Sequence, residues 1–303
     1  MSARRSQFSA TNVVQIAALG LIWGFTFLFI KVSVEGLTPL WLVSVRTLSG
    51  FVVLAVVVWA RRVPLPRGRS TWWHLAFLAL PANVIPWAMV AWAQQGVTSA
   101  MTAVLYSLIP LMTLVIAVAI SLEVFTLRKL AGLVLASIGT GLAVGYDLDA
   151  PGTASAVAAV LVACAFLAAG AVYAKRFVTP HVAALPMAAA QIGVAGLIST
   201  PLAFFADGPP QWDLLTPAVL GASLTLGAVG TGVAFVLYYL LIERVGATNA
   251  TMITYITPVI GIIAGWAILD EPIPPSLLGG AAAIVVGIWI AQSVRKETVD
   301  VLP

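Results

Sequence analysis

Apolar runs of about twenty residues, the length needed to span a bilayer, follow one another along this chain almost without pause. They are interrupted by charges or by clusters of proline and glycine, which end helices at low cost. This pattern predicts ten membrane-spanning helices, at roughly 13–34, 38–60, 72–94, 97–121, 128–146, 153–174, 183–206, 215–242, 246–269 and 276–294. The connections are short and polar, such as RRVPLPRGR at Arg61 to Arg69 and ADGPPQWD at Ala206 to Asp213. The first residues, MSARRSQFSATN, are followed by some twenty apolar positions and no small-residue cleavage site, so this run is expected to stay in place as a span and not to act as a removable leader.

Charge placement agrees with this count. With both termini cytoplasmic, thirteen of the fifteen basic residues fall in inner segments, leaving Lys31 outside and Arg46 inside a span. The expected outer connections hold Asp147, Asp149, Asp207, Asp213, Asp270 and Glu271. Gaining or losing one span would invert every later loop, so this positive-inside alternation supports the number ten.

The chain also repeats itself. A shift of 148 positions superposes Pro110 on Pro258, Ala119 on Ala267, Ile120 on Ile268, Glu123 on Glu271, Gly132 on Gly280 and Gly139 on Gly287. Six pairs in one register divide the chain into two related halves, residues 1–148 and 149–303. Five spans per half is an odd number, so the second half enters the membrane from the opposite side. The expected fold is therefore an all-α polytopic membrane protein of two inverted five-helix repeats. Such repeats are a feature of secondary transporters, which alternate access around a site between the halves, and they also occur in some channels.

Composition removes other classes. With 61% hydrophobic and 9% charged residues and a mean hydropathy of +1.06, the chain lies far outside the soluble range. The pI near 9.5 then reflects inner-loop charge and is no argument for a nucleic-acid partner. The single cysteine, Cys164, excludes an intramolecular disulfide. There is no phosphate loop for ATP, no metal-ligand cluster and no nucleophile–base pair, so neither a cofactor nor enzyme chemistry is expected.

The run WGFTFLFIKV at Trp23 to Val32, Arg46 in the second span, and the twice-occurring helix with a central proline and a terminal glutamate (IPLMTLVIAVAISLE and TPVIGIIAGWAILDE) resemble the EamA family of the drug/metabolite transporter superfamily. Within it the chain is most similar to bacterial amino-acid exporters, those for aromatic amino acids included. The resemblance implies a ten-helix bundle in the bacterial inner membrane that exports small metabolites. Its partners would be a small-molecule substrate and the lipid bilayer. Oligomeric state is left open, a monomer being sufficient. A drug or organic-cation exporter and a passive channel are the alternatives.

Several residues are candidates for carrying transport. Pro110 and Pro258 each remove one backbone hydrogen bond inside an apolar helix. They read either as a pair of gates straddling the midplane or as ordinary kinks accommodated by packing. Arg46 is the one formal charge well inside a span, a costly placement. It could bind a substrate carboxylate, or equally free carbonyls or Glu35 as a fold-stabilising contact. Glu123 and Glu271 stand at helix C-terminal ends, where the dipole disfavours an acid, and call for a structural or gating partner. For Glu271 the outer candidates are Lys31 and Arg46. The polar and aromatic mid-span residues Trp23, Asn83, Trp87, Tyr106, Tyr173, Gln191, Tyr238 and Tyr255 are candidates for a central cavity, packing between helices being the plainer role. Trp41, Trp59, Trp72 and Trp73 read as interface anchors.

Overall fold

The computed structural model describes residues 10–121, 124–145, 152–179, 182–245 and 253–292. All of its regular structure is helical, and the helices in chain order are α1 (Ala10–Ser33), α2 (Pro39–Ala60), α3 (Arg69–Ala93), α4 (Ser99–Ala119), α5 (Leu127–Val144), α6 (Thr153–Phe177), α7 (Ala184–Asp207), α8 (Pro217–Ile242), α9 (Ile253–Leu269) and α10 (Pro275–Gln292). Among the described residues nine of these are long and apolar enough to cross a membrane, and α9 is shorter at 17 residues.

Local chemistry sets many of the boundaries. Four helices start on a threonine whose hydroxyl accepts a hydrogen bond from a backbone N–H three residues on: Thr38 from Trp41, Thr98 from Met101, Thr126 from Lys129 and Thr216 from Val219. An N-cap of this kind satisfies one of the orphan donors of the first turn. Pro39 and Pro217 follow two of these caps, at the position where a missing N–H costs nothing. The surface is as apolar as the sequence implies. Val52, Val56, Leu197, Phe205, Ile263 and Trp289 are exposed, a belt that only lipid would cover.

Three features position the interior. First, α1 lies against α9, α2 against α7 and α8, α3 against α6, and α5 against α10. The α5–α10 contact is made through glycine. A Cβ on Gly132 would meet the Gly287 carbonyl, and one on Gly139 would meet the Gly280 carbonyl at 2.7 Å, so the two backbones approach as small residues in membrane helices allow.

Second, α3 and α8 each contain a π-helical segment, at Leu80–Val84 and Ala228–Val233. These begin 148 residues apart. Third, α4 is broken where α9 is not. One piece of α4 ends at Tyr106 and the next begins at Ile109, and Ser107 and Leu108 bond back only three residues, to Val104 and Leu105. Pro110 excludes the normal bond to the Tyr106 carbonyl and its ring crowds that carbonyl, and the chain tightens to avoid it. Pro258, its counterpart, sits inside the continuous helix of α9.

Candidate transport site

Polar side chains meet inside the bundle where α2, α3, α7 and α8 come together. There α2 and α8 touch at backbone level. A Cβ on Gly227 would lie 2.6 Å from the Arg46 carbonyl, and one on Gly50 would lie 3.0 Å from the Gly227 carbonyl. This close approach carries Arg46 to the π segment of α8, where its Nε donates to Thr231 Oγ1 at 3.0 Å. The guanidinium carbon stands 3.8 Å from the centre of the Trp87 ring, within cation–π distance. Arg46 and Trp87 both act on the Tyr106 hydroxyl, and the Tyr106 ring packs edge-on against Phe27 at 5.2 Å. One turn before Trp87, in the π segment of α3, Asn83 accepts a hydrogen bond from Gln191 Nε2 of α7 at 2.6 Å.

Trp87 and Tyr106 therefore lie beside Arg46, and the Asn83–Gln191 pair stands one turn away along α3. Trp23 and Tyr238 form a separate pair, rings 5.2 Å apart, between α1 and α8. Tyr173 stands apart, at the far end of α6, where its hydroxyl and His74 Nδ1 are 2.6 Å apart and Phe77 and Phe177 pack around it. Tyr255 donates to Gln292 Oε1 at 3.1 Å, and so belongs to the α9–α10 contact. The sequence reading did not single out Thr231. A signal for it existed, since the 148-residue shift places Asn83 on Thr231.

The charges at one end of the bundle are arranged differently. Asp270 takes a left-handed conformation (φ 52°) and turns the chain back, so that Glu271 N–H bonds the Gly265 carbonyl at 3.1 Å. The Glu271 carboxylate thereby leaves the C-terminal end of its own helix and reaches the N-terminus of α4. It accepts from Ser99 N–H at 2.7 Å, Ala100 N–H at 3.0 Å and Ser99 Oγ at 2.9 Å. A helix N-terminus favours an acid as much as a C-terminus disfavours it.

Lys31 does the converse. Its ammonium donates to the carbonyls of Gln94 and Val97 at 2.6 and 3.0 Å, where α3 has just ended, placing a cation at the negative pole of that helix. Lys31 and Glu271 feel each other's charge, yet each is bound to backbone, on the two sides of the α3–α4 turn. Gly265 leaves room for this arrangement, because a side chain there would strike the Glu271 carboxylate and Ser99 Oγ.

Glu35 is exposed at the same end. With Thr38, Trp41, Gln95, Asp207 and Gln211 it lines a surface cavity of about 180 Å³. Trp41 Nε1 donates there to the Gly208 carbonyl at 2.9 Å, and Thr38 Oγ1 to Asp207 Oδ2 at 2.6 Å. Glu123, the counterpart of Glu271, lies outside the described residues. Among the described residues no group of histidine, cysteine and acidic side chains could hold a metal ion.

A polytopic helical bundle with a lipid-facing surface and a few polar groups gathered at its centre defines a membrane transport protein. The profile of the EamA-like transporter family matches twice, at residues 11–145 and 154–292, and the chain belongs to that family. It is 24% identical to the uncharacterized transporter YoaV of Bacillus subtilis (strain 168) over 276 residues, 91% of this chain and 94% of that one. It is 29% identical to the uncharacterized inner membrane transporter YedA of Escherichia coli (strain K12) over 262 residues, 84% of this chain and 81% of that one. A solved crystal structure superposes with a TM-score of 0.64 at 20% identity, covering 93% of this chain and 98% of its own, a likeness of fold.

Proposed function

We propose that this transporter is a secondary exporter of small metabolites, chiefly amino acids with aromatic or other hydrophobic side chains. It would work by alternating access between two inverted halves, residues 1–148 and 149–303, in the inner membrane, where the relative YedA is named as residing, with both termini in the cytoplasm.

One observation carries the reading. Arg46, from the second helix of the first half, reaches Thr231 in the π segment of α8, and Gln191, from the second helix of the other half, reaches Asn83 in the π segment of α3. Asn83 and Thr231 are equivalent under the 148-residue shift. Each half thus holds the interrupted helix of the other by a side-chain hydrogen bond. π segments concentrate at functional sites, and helices interrupted at the midplane form the substrate sites of inverted-repeat transporters.

The α5–α10 contact supports the inversion. The shift maps the contact of Gly132 with Gly287 onto that of Gly280 with Gly139, which is its partner contact. The numbering rises along one helix as it falls along the other. A twofold axis lying across the helices, and so in the membrane plane, accounts for both facts. The break at Pro110 against the unbroken helix at Pro258 is the asymmetry that two halves exchanging roles would show.

Counterflow in proteoliposomes against a panel of amino acids, sugars and organic cations tests the proposal. Saturable uptake with trans-stimulation by aromatic or aliphatic amino acids is the expected result. A linear flux without trans-stimulation would identify a channel, and counterflow confined to organic cations would give the substrate class to the drug-exporter alternative. Single cysteines placed between Asp207 and Asp213 in a Cys164→Ala background should react with an impermeant thiol reagent from outside. Labelling only after the cell is opened would reverse the orientation.

A further inference from the structure

We propose that Arg46 is the anchor for an anionic group, a carboxylate above all, on the carried molecule, an inference that rests on the exporter reading and names the chemistry of its site.

The argument starts from what holds this charge. A guanidinium has five N–H donors in a planar fork, and here only the one on Nε has a hydrogen-bond partner among the described residues, the Thr231 hydroxyl. The side chain is 9% exposed. Gln94 and Thr153 have buried polar side-chain atoms without partners, and the terminal nitrogens of Arg46 are not among the atoms so sealed. These nitrogens therefore keep some accessible surface and no hydrogen-bond partner among the described residues. Among the described residues no acid pairs with the charge. Glu271 is committed to the N-terminus of α4, Glu35 is exposed, and the ionisable neighbour that acts on Arg46 is the Tyr106 hydroxyl.

A buried Arg that served only the fold would place its fork on backbone carbonyls or on a carboxylate, and Arg46 does neither. The guanidinium carbon stands 3.8 Å over the Trp87 ring, and the edge of the fork that carries the two terminal nitrogens makes no hydrogen bond among the described residues. That edge is the part of the group that pairs with a carboxylate through two parallel N–H···O bonds. Around it stand the aromatic surfaces of Trp87, Tyr106 and Phe27, which suit an apolar body attached to the anionic group. Among the described residues the Asn83 amide NH2 and the Gln191 amide oxygen have no hydrogen-bond partner, enough for one further polar group on the ligand. A molecule that is only cationic would meet the positive charge at the centre of its path.

The test measures ligand-induced thermal stabilisation of the purified full-length protein by paired probes: 3-phenylpropanoate against 3-phenylpropanamide, and L-phenylalanine against L-phenylalaninamide. The parent should bind each carboxylate at least about tenfold more tightly than its amide. In Arg46→Gln that ratio should fall to near one while amide binding is kept, and Arg46→Lys should fall between, since it keeps the charge and loses the fork. A purely structural arginine could lower stability but would not change the ratio. If Arg46→Gln does not fold, the same ratio measured in Arg46→Lys decides, with a severalfold loss expected. Equal binding of carboxylate and amide by the parent, binding of neither carboxylate, or an unchanged ratio in the variant overturns the proposal. Carboxylate binding that depends on Arg46 without counterflow would instead leave the anchor standing and remove the exporter. Counterflow that discriminates carboxylates equally well without Arg46 would do the reverse.

Discussion

The bundle contains two arrangements of buried charge that differ in how completely they are satisfied. At one end, Glu271 and Lys31 are held by several partners each: the carboxylate takes three donors at the start of α4 and the ammonium closes two carbonyls at the end of α3. At the centre, Arg46 has one hydrogen bond and one aromatic face, and the rest of its fork is open. The first arrangement joins four helix ends, α1, α3, α4 and α9, through a single turn. The second holds a charge ready and leaves it unmet. A saturated buried charge is costly to disturb, because removing one partner strands the others. An unsaturated one can be removed with little loss of stability and, in the proposal above, with a large loss of recognition.

Substitutions in both arrangements would sharpen or break that contrast. Glu271→Ala should have the largest effect on stability, about 3–5 kcal/mol by analogy with broken buried ion pairs, because the N–H groups of Ser99 and Ala100 lose their acceptor. Thermal denaturation in detergent beside Arg46→Gln checks it: the first should unfold far below the parent and the second close to it, and similar midpoints would erase the distinction. Gly265→Val comes next, at about 1–3 kcal/mol, since its side chain would push against Glu271 and Ser99. Combined with Glu271→Ala it should cost much less than the sum, as neighbours sharing one contact do, and strict additivity would show that the two residues do not act together.

The proline pair bears on rate. Pro258→Ala supplies one backbone donor inside a helix that is already continuous, whereas Pro110→Ala allows α4 to close over the break after Tyr106. Both should slow turnover severalfold with little change in apparent affinity, if the two helix shapes exchange during transport. Pro110→Ala should also stabilise one conformer, readable as a change in protease or thiol accessibility that is confined to one membrane face. Parental turnover in both variants would make the prolines mere kinks. The smallest effect is expected at Asp270, whose left-handed backbone glycine adopts without strain. Asp270→Gly should leave function unchanged and alter stability by no more than about 1 kcal/mol, in the stabilising direction. A clear loss would show that the Asp270 side chain itself holds the turn.

The two prolines also show the limits of reading a motif. Both are legible in the sequence as missing donors, and the repeat makes them equivalent. Yet α4 breaks and α9 continues, in different surroundings. Pro258 is buried, with Gly20 and Gly24 of α1 set against Ile256, Thr257 and Ile260 around it. Pro110 is only half-buried and begins a new helical piece. The proline removes the hydrogen bond, and the neighbours decide what the helix does about it.

Glu271 is a second instance. Its position at the end of an apolar helix raised the question of what compensates it, and the choice rested on nearby cations. The partner is instead a helix N-terminus whose donors are backbone atoms. Backbone donors leave no mark in side-chain chemistry, so no motif could have revealed them.

The apolar runs and the Pro and Gly breaks by themselves determined that this chain is a helical membrane bundle and nearly where each helix lies, because backbone satisfaction in lipid leaves few other solutions. The 148-residue echo likewise marked the two halves and the equivalence of their prolines and glutamates. Only the tertiary structure decided which mid-span groups share a site. It brought Trp87 and Tyr106 to Arg46, joined Asn83 to Gln191, sent Tyr173 to His74 and Tyr255 to Gln292, and added Thr231, which the repeat marked only as the counterpart of Asn83. The physical reason is that position along a helix sets depth in the membrane, whereas the direction a side chain faces is set by the helix that packs against it. That choice rests on close glycine contacts, such as Gly227 against Arg46, between residues 181 positions apart in the chain.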